Sequence, residues 1–333
     1  MKATIRDVAK YAGVSVATVS RYLNNSPLIA EASVEKVRQA IEALDYQPSM
    51  MARGLLHGNS KTVGLAVDYS NTETYGNDFF LQIQYGLEHE LTRNGYYLMI
   101  CHVGTGNNEI TTLRALVNEN RIDGLVLLSE LAHPKVFELL RESAIPYVVA
   151  GRTSELDACW VDIDNIEAGR CAARRLLRTN VKSIGFLTNS FDKVFVSERY
   201  QGYCHALSEA GVTVDGTTTY DGLCTPELIA EFVQSHMDNL CQAYVATDST
   251  IAFYFMRELQ KRGVKVPEQV QVIGFDDSVL AAAADPAMTV VEIDVKELGI
   301  AAAQMLIGQL QAAQLRPGQN LLPVDVIERA SVK

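Results

Sequence analysis

The stretch VSVATVSRYLNN, residues 14–25, sets one guanidinium, Arg21, among small and β-branched side chains. A guanidinium offers its N–H donors in a fixed planar fork, and that fork matches the O6 and N7 acceptors of a guanine in a DNA major groove. The fork reaches a base edge only if its neighbours let the backbone come close. Val16 and Ala17 are small enough for that and can also pack on a thymine methyl, while Thr18, Ser20 and Asn24 carry groups that can meet phosphates. The chemistry on offer is sequence reading, and it requires Arg21 to stand on a helix that enters a groove.

The head of the chain supplies such a helix. Thr4 can cap a helix through IRDVAKYA, with Asp7 completing a capping box and Ile5, Val8, Ala9 and Ala12 forming its apolar face. Gly13 ends it and Ser15 caps a second helix, in which Val19 and Leu23 point inward while Ala17 and Arg21, four residues apart, share another face. A third helix over about 31–44 repeats Val34, Val37, Ile41 and Leu44 at helical spacing. Two short helices joined by a tight glycine turn and braced by a third make a helix-turn-helix.

Charge is divided along the chain in the sense this reading needs. The 333 residues carry a net charge of −11, yet residues 1–61 hold eight Lys/Arg against five Asp/Glu, a surplus of +3 that leaves −14 on the remainder. A small basic head on an acidic body confines attraction for phosphate to one end. The six cysteines are scattered with no Cys-x-x-Cys pair, which fits reduced thiols better than a disulfide framework or a zinc site. No apolar run approaches the roughly 20 residues that span a bilayer, and no signal-peptide pattern follows Met1, so a cytoplasmic protein without membrane contact is expected.

From Lys61 onward, apolar runs alternate with amphipathic helices. TVGLAVD, YYLMIC, GLVLLS and PYVVAG read as strands buried on both faces, with crossover helices near 79–94, 108–120 and 134–143. A second set, CWVDI, SIGFLT, AYVAT and VQVIGFDD, alternates with helices near 166–179, 197–211, 226–238 and 249–262. The expected fold class is α/β, with an N-terminal three-helix helix-turn-helix headpiece followed by two doubly wound lobes. TVVEID and the helix after it are expected to return to the first lobe and PVDVIER to the second, giving about three chain crossings. The boundaries that follow are a headpiece over 1–46, a linker over 47–60 and a core over 61–333. Lobe one covers about 61–158 and 289–318, and lobe two about 159–288 and 319–333.

TIRDVAKYAGVSVATVSRYLNN followed by YQPSMMARGLLHG resembles the headpiece of the lactose/galactose repressor (LacI/GalR) family of bacterial transcription regulators, and the similarity runs to the chain end. The resemblance implies a periplasmic-sugar-binding-protein-like core, an operator-DNA partner of near-palindromic sequence, a homodimer and a small-molecule effector between the lobes. It puts Thr4, Ser15, Val16, Ala17, Thr18, Ser20, Arg21 and Asn24 in the DNA-facing set, with Met51, Ala52 and Leu55 in the hinge. Leu55 matches a leucine that wedges into the minor groove, and Gly54 leaves so short a hinge helix marginal on its own.

Ligands of open α/β sheets sit beyond the carboxyl ends of the strands, so residues just after strands are the effector candidates. There the resemblance matches Arg199 to a holder of sugar hydroxyls or ligand carboxylates and Asp276 to a hydroxyl acceptor. Asp164, Asn165, Thr247, Asp248, Asp78, Phe79 and Phe80 occupy further cleft positions. Helix capping is an equal reading of Asp248 and Asp277, and core packing an alternative for Phe79 and Phe80. Around YDGLCTPE, where sugar-responsive relatives carry an aromatic ring, stand Leu223 and Cys224, which keeps a phosphorylated sugar, a nucleoside or a phosphocarrier protein open as effector beside a sugar.

An α/β enzyme and a periplasmic binding protein are the rival classes. The chain has no G-x-G-x-x-G after its first strand, no P-loop, no G-x-S-x-G and no H-E-x-x-H, and its six histidines stand singly, so no catalytic residue, cofactor or metal is assigned. A periplasmic protein would not need residues 1–60. If Arg21 reads a guanine, Arg21→Ala should weaken binding to an operator selected from a random duplex pool by roughly 1–3 kcal/mol and relax preference at one base pair. Quantitative DNA-shift titrations over single-base variants of that operator check both.

Overall fold

The structure is a computed structural model and describes residues 3–23, 29–46, 59–68, 78–104, 107–153, 155, 157–212, 218–312 and 318–333. The head consists of α1 (Ile5–Ala12), α2 (Val16–Leu23) and α3 (Glu31–Ala43). Thr4 Oγ1 accepts from the Asp7 amide while the Asp7 carboxylate accepts from the Thr4 amide, so the capping box forms as the spacing dictates. Gly13 caps α1 in the left-handed region at φ 65°, where a side chain would be strained. Val8, Ala9, Ala12, Val19, Val37 and Ala40 close a small core of their own.

The body holds two six-stranded sheets. The first contains β1 (Thr62–Val67), β2 (Tyr97–His102), β3 (Gly124–Leu128), β4 (Tyr147–Ala150), β5 (Trp160–Ile163) and β11 (Gln319–Leu322), in the order β11-β5-β4-β3-β1-β2. Its pairs are all parallel. The second contains β6 (Ile184–Leu187), β7 (Thr219–Tyr220), β8 (Ala243–Ala246), β9 (Gln271–Phe275), β10 (Thr289–Glu292) and β12 (Asp325–Ile327), in the order β12-β10-β9-β8-β6-β7. Only β12 runs antiparallel to its neighbour. Helices α4 (Asp78–Arg93), α5 (Asn107–Asn118), α6 (Pro134–Ser143) and α12 (Val295–Gln311) cover the first sheet. Helices α7 (Asn165–Leu177), α8 (Val194–Glu209), α9 (Pro226–His236), α10 (Ser249–Lys261) and α11 (Val279–Ala283) belong to the second.

Three strands sit in the other lobe from the one the sequence suggests. CWVDI, expected to open the second sheet, is β5 of the first and pairs with β4 through Val149 and Trp160. The described residues of the connection from β4 to β5 hold no helix, and parallel neighbours ordinarily need one, so the sequence points to a new sheet where the old one continues. TVVEID, expected in the first lobe, is β10 and lies beside β9 of the second. Residues 319–322, expected in the second lobe, form β11 beside β5. The helix after TVVEID does return to the first lobe as α12, against α4 and β3 to β5. The chain therefore crosses between lobes three times: from β5 to α7, from β10 to α12 and from β11 to β12.

Two features fix positions that matter below. The Asp123 carboxylate, just before β3, accepts from the Ser60 amide (2.6 Å), the Ser60 hydroxyl (2.8 Å) and the Lys61 amide (2.7 Å), pinning the chain where it enters β1. In the second lobe α7 and α8 cross backbone to backbone at Gly169 and Gly202, where an added Cβ would lie 1.9 Å from the Arg199 carbonyl oxygen and 1.8 Å from that of Ile166. Gly202→Ala must push the two helices apart, a change expected to destabilise the chain by about 2 kcal/mol. Equilibrium urea unfolding of parent and variant measures it.

Candidate functional site

On the head, Val16, Ala17 and Arg21 are exposed on α2, and Thr18 and Ser20 are half-buried. Arg21 has no ion-pair partner among the described residues. Ser15 Oγ accepts from the Thr18 amide at 3.1 Å and lies 2.9 Å from the Thr18 hydroxyl, so these two hydroxyls first serve the start of α2. The Thr4 hydroxyl is likewise engaged, with the Asp7 carboxylate at 2.7 Å. Asn24, Met51, Ala52 and Leu55 lie outside the described residues.

The second site forms where strand ends of the lobes face each other. Arg199, on α8, is 6% exposed, and a guanidinium so buried requires acceptors. Its Nε donates to Asn165 Oδ1 at 3.1 Å and its Nη1 to the Thr247 carbonyl oxygen at 2.6 Å. Its cationic carbon stands 4.2 Å from the ring centre of Phe275 and 5.0 Å from that of Phe195. Asn165 is fixed in turn by its Nδ2, which donates to the Ile163 carbonyl oxygen and to Asp162 Oδ2. Thr247 Oγ1 is buried with no hydrogen-bond partner among the described residues.

Carboxylates surround this arginine. Burial raises the pKa of Asp276 above the ordinary aspartate value, and Arg199 opposes the rise. Asp248 and Asp162 are raised by burial as well, each held back by backbone N–H donors and by Arg199. Burial in turn depresses the Arg199 pKa against the pull of Asp276, Asp248 and Asp162, and an arginine remains charged under such a shift. Asp276 also adopts φ 70°, in the left-handed region that aspartate enters more readily than most residues other than glycine.

Several sequence candidates meet here and others do not. Arg199, Asn165, Thr247, Asp248 and Asp276 form one cluster. Asp164 accepts from the Glu167 amide and Asp248 from the Ile251 amide, so both cap helices whatever else they do. Asp277 is engaged by Arg329 at 2.7 Å. Phe80 packs with Ile83, Leu87 and Leu91 in the buried stripe of α4, in line with the core alternative for this residue. Phe79 packs half-buried against that core, and Asp78 opens α4. Leu223 is buried in the second lobe's core. Sequence reading passed over Asp162, Glu198 and Arg152. The lone acid within CWVDI was the one signal available, since a charge in a strand buried on both faces needs partners.

Two stretches of the chain match known protein families. Residues 4–49 match the family of bacterial regulatory proteins named for lacI, and residues 173–332 match a periplasmic binding protein-like domain. The chain is 32% identical to the HTH-type transcriptional repressor PurR of Vibrio atlanticus (strain LGP32), over 99% of both chains. It is also 32% identical to the HTH-type transcriptional regulator CelR of Thermobifida fusca, over 98% of both. The chain belongs to the LacI family. A solved CelR–cellobiose complex superimposes with a TM-score of 0.73 at 30% identity, over 99% of each chain. A lac repressor dimer bound to operator and the anti-inducer ONPF superimposes at 0.83, at 20% identity over the same share, which speaks for the fold. This LacI-family chain is thus a transcription regulator, and the fold class expected from its sequence holds. Among the described residues no helix is long and apolar enough to cross a membrane.

The desolvated Asp276 makes a stability prediction. A carboxyl whose folded pKa is raised contributes stability below its unfolded pKa and loses it as pH climbs through the folded one. Asp276→Asn removes that titration, so the variant's stability should fall less than the parent's as pH rises from about 4 to about 7. Thermal melts across that range provide the check.

Proposed function

We propose that this regulator binds a near-palindromic operator through α2 of two protomers, and that a neutral, hydroxyl-rich sugar between the lobes changes its operator affinity. The observation that carries the effector class is the charge of the cleft cluster: one buried guanidinium, Arg199, faces Asp276, Asp248 and Asp162. A phosphorylated or carboxylated ligand entering there would meet an excess of carboxylates. A polyol supplies both donors and acceptors and suits convergent Arg and Asp side chains. The cellobiose held by the CelR relative supports the same class.

The DNA end of the reading rests on the exposed Val16, Ala17 and Arg21 surface, and a two-fold operator calls for a homodimer. Lobe rotation about the three crossings reaches the head through the Ser60–Lys61 anchor on Asp123. The function is one of binding, with no catalytic role assigned to any residue. Effector and operator then influence each other's affinity by the same factor.

Thermal melts of the full chain with neutral mono- and disaccharides (cellobiose among them), sugar phosphates and nucleosides test the effector class. A neutral sugar should raise the melting temperature by several °C at saturation. Arg199→Lys, which keeps the charge but loses the planar fork, should abolish that rise while effector-free operator binding persists. A rise with sugar phosphates or nucleosides alone overturns the class.

A further inference from the structure

Arg152 follows β4 in the first lobe, and Glu198 stands on α8 of the second, immediately before Arg199. Their Nη1 and Oε1 atoms are 2.7 Å apart. Among the ion pairs of the described residues this one joins the lobes, whereas Arg114–Glu142, Arg141–Glu155, Arg174–Glu209, Arg175–Glu328 and Arg329–Asp277 each stay within one. Its seating is firm on both sides. The Arg152 amide donates to Asp162 Oδ2 at 3.0 Å, and its guanidinium lies 5.2 Å from the ring centre of buried Trp160. The Glu198 side chain is 11% exposed.

The energetics of such a pair favour two end states. Together, the charges compensate each other; fully apart across an opened cleft, each is solvated by water. Between these limits lies a half-open arrangement in which buried charges face no partner, and that is the costly one. Glu198 Oε2 and Arg152 Nε are buried without a hydrogen-bond partner among the described residues, so the charges compensate each other incompletely. Because Glu198 and Arg199 are consecutive on one helix, whatever fixes Glu198 against the first lobe also fixes where Arg199 stands relative to it.

We propose that the Arg152–Glu198 ion pair is an interlobe clasp, a pair of positioning residues that sets the lobe angle seen here and divides cleft motion into a clasped and an unclasped state. The clasp adds to the effector-cleft reading, and its test needs no effector, so failure of the clasp leaves that reading standing and failure of the sugar assignment leaves the clasp standing.

The test is a distance measurement by pulsed electron spin resonance on the full chain. Spin labels are attached at exposed Glu138 on α6 and exposed Glu227 on α9, each replaced by cysteine in a Cys224→Ser background, and labelled protomers are diluted with unlabelled ones. The parent should show one narrow distance distribution. Glu198→Gln, which is isosteric, and Arg152→Met, which keeps a long apolar stem over Trp160, should each shift it to longer distance and broaden it. Arg152→Glu combined with Glu198→Arg should restore the narrow distribution, a rescue that a purely packing role would not produce. Unchanged distances in both single variants overturn the clasp, and so does a charge-swapped protein as broad as the single variants.

Discussion

A buried guanidinium organises this molecule. Arg199 is removed from water, so its fork must find acceptors, and those come from separate elements: Asn165 at the start of α7 and the Thr247 carbonyl at the end of β8. Aromatic faces from Phe195 and Phe275 close over it, and Asp276, Asp248 and Asp162 balance its charge. For all of these to converge, α8 must lie directly on α7, which is what contact between Gly169 and the Arg199 carbonyl permits. A helix packed at ordinary side-chain separation would carry the arginine away from Asn165.

The same constraint bears on the effector cleft proposed above. Its carboxylates are held at raised pKa by burial, its Thr247 hydroxyl lacks a partner among the described residues, and Asp276 sits at positive φ. The raised pKa values and the Thr247 hydroxyl are local costs that the hydroxyl-bearing ligand proposed above would relieve. Residues that cap helices here, Asp164 and Asp248, combine that duty with the placement of charge at the strand ends.

The geometry also provides a mechanical path to the head. β1 and β3 are adjacent central strands of the first sheet, and both run from the Asp123 anchor to the interlobe side. Strands hydrogen-bonded on both sides move as a body, so in the proposed mechanism a change in lobe angle would arrive at Ser60 and Lys61 as a displacement. Lys61, itself at φ 53° with its ammonium 4.4 Å from the centre of the Tyr96 ring, is held tightly at that junction.

What the sequence determined by itself was local. The capping box of Thr4 and Asp7, the glycine stop at Gly13 and the 3.6-residue stripe of the head helices follow from neighbours in the chain, and the structure reproduces them. The alternation of apolar runs and amphipathic helices likewise named an α/β body, and Arg199 and Asp276 were visible through the family pattern. Which lobe each strand joins was decided only in three dimensions. Apolar runs such as Trp160–Ile163 and Thr289–Glu292 fit either sheet by composition, and pairing depends on what space the completed lobes leave. The partners of Arg199 and the meeting of Arg152 with Glu198 were equally out of reach, because an ion pair between residues 46 positions apart exists only once two lobes face each other. Short-range geometry is written in spacing, whereas burial of charge is a property of the assembled fold.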